Sequence, residues 1–199
     1  MVASQFKELI LQSLTHEKGG VLVYQTALEC VVNRNLKREW EKYLEQTRTH
    51  VEALTGVCKK LGLDAGEVTP GCKVVEHTGK SLVVAMKMAL AAGDAAAAEI
   101  VACECVVLAE TKDHADWELL GKCAESLGGD GAAALTEAYE RIEDEEDEHL
   151  YHSKGWCREL WLKSLGLEAV LPPPEERDDV KNAVEAAKAK EKSESARKH

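Results

Sequence analysis

Apolar residues return every three to four positions through most of this chain, the period of a helix with one buried face. Phe6, Ile10, Leu14, Val21, Tyr24 and Leu28 make one such stripe, over a helix expected from about residue 4 to 32. "NRN" at 33–35 reads as a tight turn, and Leu36, Tyr43, Leu54 and Leu61 continue the pattern on a second helix ending near 61. A Gly/Pro loop at 62–71 follows, then a shorter helix at 73–91 punctuated by "AGD". Two more long helices are expected at about 94–126 and 132–164, broken by "SLGGDG". Alternating runs of β-branched residues are missing. The pattern predicts an all-α fold: two antiparallel helix hairpins forming a four-helix bundle, joined by a crossover that contains the short helix. The bundle is assigned to residues 1–166. Residues 167–199 read as a Pro-containing linker and an Ala/Lys/Glu tail without an apolar face, expected as a frayed helix or as disorder.

The polar residues that fall on the apolar stripes change the picture. Glu17 interrupts the first stripe, and His50 interrupts the second with Thr47 one turn before it. Glu110 lies on the stripe of the fourth helix, followed by His114 and Trp117. On the last helix, "EDEEDEHLYH" (143–152) holds six carboxylates and two imidazoles. Most of that run faces away from the stripe of Leu135, Ile142 and Leu160, whereas Glu146 and His149 flank it and face inward. Glu17 and His50 are nearly equidistant from the turn at 33–35, and Glu110 and Glu146 from the break at 126–131. In each hairpin the inward polar groups therefore meet at one level. Burying a carboxylate without a partner costs several kcal/mol, so their convergence needs a neutralising partner. Glu17, His50, Glu110, His114, Glu146 and His149 are the candidate metal ligands. Imidazole with carboxylate suits iron, manganese or zinc better than calcium or magnesium. Two ions bridged by carboxylates balance the charge better than one.

Charge and cysteine usage narrow the partners. With 25 Lys and Arg against 36 Asp and Glu, the net charge is −11. Nucleic acid and anionic membrane surfaces are disfavoured by that excess, and metal cations are favoured. No apolar run approaches the roughly 20 residues that span a bilayer. "MVASQFKELILQSL" has no signal-peptide pattern, so a cytoplasmic location is expected. The seven cysteines, an odd number scattered through helical patterns, are expected as small buried hydrophobes in a reducing compartment. Val101, Cys105 and Leu108 give the fourth helix a second apolar face, to be covered by the connecting helix or by a second copy of the chain in a homodimer. Glycine-rich phosphate loops, a Ser/His/Asp order and CxxC pairs are all missing.

The segments "HEKGG", "LEQTRTHVEAL", "LAETKDHADW" and "EDEHLYH" resemble, in order and level, the ferritin-like superfamily of bacterioferritins, rubrerythrins and manganese catalases. The spacing of the first two looks most like the bacterial stress-associated ferritin-like proteins. That family's pattern is one Glu on each of two helices and Glu-x-x-His on each of the others. The resemblance covers roughly residues 4 to 164. It implies a site for two iron ions, with manganese or zinc as alternatives, acting on dioxygen, peroxide or Fe(II) in a stress response. The sequence departs from the family at Thr47, where a glutamate is expected three residues before His50. The centre is then dinuclear with altered ligands, Gln46, Glu45, His114 or Glu143 among them, or it holds one metal. A bundle of this fold that binds no metal and serves as a structural or interaction protein is the alternative.

Overall fold

A computed structural model describes residues 4–126, 128–178, 180 and 182–196. Positions 1–3, 127, 179, 181 and 197–199, which include both ends of the expected bundle and tail, lie outside the described residues. The described chain is all-helical: α1 Ser4–Cys30, α2 Arg34–Lys60, α3 Pro70–Ala91, α4 Ala95–Ser126, α5 Asp130–Ser164, α6 Pro174–Arg177 and α7 Ala183–Ala196. No helix among the described residues is long and apolar enough to cross a membrane.

Local chemistry sets the helix ends. The Asn33 side chain accepts from the backbone of Asn35 and Leu36 and so starts α2, while Lys59 and Lys60 sit in its last turn, where cations oppose the helix dipole. The connecting helix α3 begins three residues earlier than its periodicity predicts. Thr69 caps it by accepting from the Cys72 N–H, and Pro70 occupies the first turn, where its missing N–H is harmless. Gly62 closes α2 with φ 70°, a left-handed conformation that favours glycine; Leu63 N–H then donates back to the Cys58 carbonyl at 2.9 Å.

Four of the helices contact one another in a closed cycle, α1 with α2, α2 with α5, α5 with α4 and α4 with α1. The third, α3, packs along the side, against α1 and α4. It covers part of the second apolar face of α4: Cys105 is buried and its thiol donates to the Leu82 carbonyl, whereas Leu108 stays exposed. Five of the seven cysteines are buried and all are free thiols.

The apolar interior comes in two parts. One cluster joins Tyr24, Ala27, Leu36, Trp40, Tyr43, Val106 and Trp156. The other joins Ile10, Leu14, Leu54, Val57, Leu120, Leu135 and Ile142. The first draws on the end of α1, the start of α2, the start of α4 and the end of α5, and the second on the opposite halves. Neighbours in the cycle therefore run antiparallel. Between the two clusters lies a layer of buried polar residues that includes Glu17, His50, Glu110, Asp113, Glu146 and His149.

The chain after α5 is fastened back onto it. Arg158 forks onto the Glu175 carboxylate at 2.6 and 2.9 Å, and its Nε donates to Glu159. The second Glu159 oxygen accepts the Val170 N–H. Gly155 permits this approach: a Cβ there would meet Glu175 Oε2 at 2.7 Å and the Pro173 Cβ at 3.0 Å. Arg158→Ala should remove the forked pair from the buried Glu175 carboxylate, a loss of about 3 kcal/mol. Urea denaturation would read that loss, and limited proteolysis should cut the wild type more slowly than the variant between residues 166 and 177.

Candidate metal centre

The buried polar layer is built from the middle turns of four helices. Glu17 of α1, His50 of α2, and Glu146 and His149 of α5 are each at most 1% exposed, and Glu110 of α4 is 3% exposed. Glu17, His50 and Glu146 bring one potential ligand atom each within 4.8 Å of one another, and so do Glu110, Glu146 and His149. Glu146 belongs to both groups. His50 Nδ1 lies 2.8 Å from Glu146 Oε1 and 3.5 Å from Glu17 Oε1. His149 Nδ1 lies 3.5 Å from Glu110 Oε2 and 3.6 Å from Glu146 Oε1. The two imidazole rings are 5.8 Å apart and close to parallel.

The outer nitrogen of each imidazole is already engaged. His50 Nε2 contacts Glu145 Oε2 at 2.8 Å, and His149 Nε2 contacts Gln46 Oε1 at 3.1 Å. Both partners are acceptors, so each Nε2 donates outward and each Nδ1 faces the layer; on His50, which its carboxylate neighbours keep protonated, Nδ1 donates toward Glu146. Trp117 Nε1 donates to Glu17 Oε1 at 2.8 Å and fixes that carboxylate. Inside the layer Glu17 Oε2, Glu110 Oε2, Glu146 Oε2 and His149 Nδ1 are buried without a hydrogen-bond partner, while His50 Nδ1 and Glu146 Oε1 face each other at 2.8 Å. Buried polar atoms are nearly always paired. Four unpaired acceptor-type atoms facing one space suit a cation, and carboxylate with imidazole fits iron, manganese or zinc.

The protonation of the metal-free layer points the same way. Burial pushes Glu110 up to about 8 and Glu146 up to about 7, with neighbouring carboxylates adding to the effect. Asp113 is raised by burial and by the charges of Glu146, Glu17 and Glu110. Burial lowers His149 to about 4. Burial also disfavours a charge on His50, but Glu145, Glu146 and Glu17 together hold it well above its ordinary value. Without an added cation the layer relieves its repulsion by keeping protons.

Five of the six residues expected from sequence meet in this layer: Glu17, His50, Glu110, Glu146 and His149. His114 stands apart, 19% exposed, with Nε2 2.6 Å from Asp147 Oδ1. It lines a cleft of about 230 Å³ between α4 and α5 whose walls run from exposed Glu118 and Glu143 to buried Trp117 and Glu146. Asn182 and Ala183, at the start of α7, also border it. The cleft ends against the buried Glu146 side chain.

Position 47 supplies no ligand. The Thr47 hydroxyl donates to the Tyr43 carbonyl, and its methyl group fills the space beside Gly20. Asp113 and Glu145 escaped the sequence reading, and Gln46, expected as a substitute ligand, instead partners an imidazole. Asp113, 4% exposed with Oδ1 unpaired, stands three residues after Glu110 and is a fourth carboxyl in the layer. Glu145 and Gln46 orient the two imidazoles. The Glu-x-x-Asp spacing 110–113, read against buried Trp117, carries the signal for Asp113; Glu145 and Gln46 sit at stripe edges and carry none.

Comparison of the chain with protein-family models, with curated proteins and with solved structures gave no match.

Proposed function

We propose that this chain is a ferritin-like four-helix bundle that binds two transition-metal ions in its central layer and acts on dioxygen, peroxide or Fe(II) in a stress response. The single observation that carries this reading is Glu146: buried and common to two carboxylate–imidazole groups. One group, Glu17–His50–Glu146, would hold one ion and the other, Glu110–Glu146–His149, the second, with Glu146 between them. Iron is the first candidate, with manganese or zinc as alternatives. Bound redox-active ions would supply electrons or Lewis acidity to a small oxygen species. The chain's own part is to orient the imidazoles through Glu145 and Gln46 and to hold Glu17 through Trp117. Four carboxyls with two neutral imidazoles carry four negative charges, which two divalent ions would balance.

A specific observation favours the second reading, a metal-free structural or interaction bundle. A protonated His50 set among Glu17, Glu145 and Glu146 neutralises part of the layer unaided. Titration of the metal-free protein with Co(II), followed by absorption and thermal melting, separates the two. Uptake of about two equivalents per chain that Glu146→Gln abolishes, with a rise in melting temperature, supports the metal centre. Visible bands absent at all Co(II) concentrations, with an unchanged melting temperature, would leave the metal-free bundle.

A further inference from the structure

A second group of potential ligands lies on the outer side of α2 and α5. Glu39, Glu148 and His152 bring one ligand atom each within 4.8 Å of one another. His152 is 2% exposed, and its Nδ1 faces Glu148 Oε1 at 3.8 Å and Glu39 Oε2 at 3.9 Å. Tyr43 Oη shares the same nitrogen at 2.9 Å. His152 Nε2 has no partner, and Glu39 Oε2 is buried without one. A third carboxylate comes from α6: Glu176 Oε2 is also buried and unpaired, and burial together with the charge of Glu39 raises its carboxyl above the ordinary range.

An ordinary ion-pair network accounts for little of this. Lys42 bonds Glu148 Oε1 at 2.6 Å and is itself largely exposed. Lys42 also acts on Glu39 and Arg38 on Glu176, yet Glu39 Oε2 and Glu176 Oε2 keep no direct hydrogen-bond partner. We propose that Glu39, Glu148 and His152, with Glu176 beside them, form a separate site for one divalent transition-metal ion at the α2/α5/α6 surface. Metal–ligand bonds of about 2.0–2.2 Å set neighbouring ligand atoms roughly 3–3.5 Å apart, so His152 Nδ1, at 3.8 and 3.9 Å from the two carboxylate oxygens, needs a shift of under an ångström toward each. Lys42 is the counter-ion the metal displaces. Tyr43 joins this site to the central layer, because its hydroxyl contacts His152 while its ring lies 4.1 Å from that of His149. The site requires no ligand of the central layer and does not depend on that layer binding metal.

The test is equilibrium dialysis of the full, metal-free chain against Zn(II), with elemental analysis, for the wild type, the double variant E39Q/E148Q and the central variant E146Q. Both substituted carboxylates of the double variant are half-buried, and unchanged helical circular dichroism will certify its fold. The double variant should lose one equivalent relative to the wild type, while E146Q keeps one. Lys42→Met should tighten that remaining equivalent in the E146Q background by several-fold, a change that a purely structural ion pair would not produce. Equal uptake by the wild type and E39Q/E148Q overturns the surface site. Full uptake by E146Q together with loss in E39Q/E148Q keeps the surface site and removes the central one.

Discussion

Glu146→Gln should eliminate metal uptake at the central layer while raising the melting temperature of the metal-free protein at pH 8. The two effects have one cause. Glu146 is 1% exposed and shared by both ligand groups, so its amide isostere removes an anionic oxygen from each. Neither remaining pair, Glu17 with His50 or Glu110 with His149, then has the charge or the number of donors to hold an ion. Without metal, however, the ionised carboxylate is a burden: burial pushes its pKa up to about 7, above the ordinary 4.5. Above that value the native state must carry an unfavourable charge that the unfolded chain carries freely. Relieving it should stabilise the metal-free variant by about 1–3 kcal/mol, read as a melting temperature several degrees higher. Elemental analysis and thermal melting on the same samples check both halves. A variant that retains about two ions per chain would remove Glu146 from its bridging place.

The second large effect is on pH dependence, and its sign differs with and without metal. Glu110 and Glu146 titrate near 8 and 7 in the native chain and near 4.5 when unfolded. Between those values the native state binds more protons than the unfolded state, so stability falls as pH rises. His50, held well above its ordinary 6.5, works in the same direction: its contribution is present below 6.5 and is lost as pH rises through its native value. His149 is opposite. Its pKa is lowered to about 4, so it adds stability with rising pH between about 4 and 6.5 and nothing further above that. Above pH 6.5 the falling terms stand alone. The metal-free protein should lose on the order of 2 kcal/mol between pH 6.5 and 8, taking one net proton over that window. Bound metal requires the deprotonated ligands, so metal affinity, and with it the thermal shift produced by metal, should grow over the same interval. Melting curves at half-unit pH steps, with and without Co(II), make the comparison. A metal-free melting temperature that is flat or rising from 6.5 to 8 would contradict the buried, proton-holding layer.

The long helices were legible because α1, α2 and α5 carry apolar stripes and each joint carries turn chemistry: "NRN" at the start of α2, "AGD" before α4, "SLGGDG" at the start of α5. The start of α3 was not, since Pro70 reads as a helix breaker until Thr69 is recognised as a cap that makes it a first-turn residue. The inward carboxylates and imidazoles could be found because a charged residue on an apolar stripe has few places to go. His114 shows where that reasoning thins. At 100° per residue it is turned about 60° from Trp117, whereas Asp113 is turned about 40° to the other side. Both look inward on paper, yet only Asp113 reaches the layer, and the difference lies in how α5 packs against α4. Contacts such as His50 with Glu145 and His149 with Gln46 depend on side-chain reach across helices, which no single-helix pattern contains. The fastening of residues 170–177 to α5 through Arg158 was equally invisible, because a Pro-rich segment with scattered charges gives no period to read.

The buried polar layer also has a consequence for assembly. Four amphipathic helices of 27 to 35 residues could slide past one another by a turn and still bury nearly as much apolar surface. The layer forbids it. A slip of one turn, about 5.4 Å, would move Glu17 away from Trp117 and His50 away from Glu145, and would strand carboxylates inside one of the apolar clusters at several kcal/mol each. The residues that weaken the metal-free core thus set the register of all four helices, much as a buried polar residue sets the register of a coiled coil.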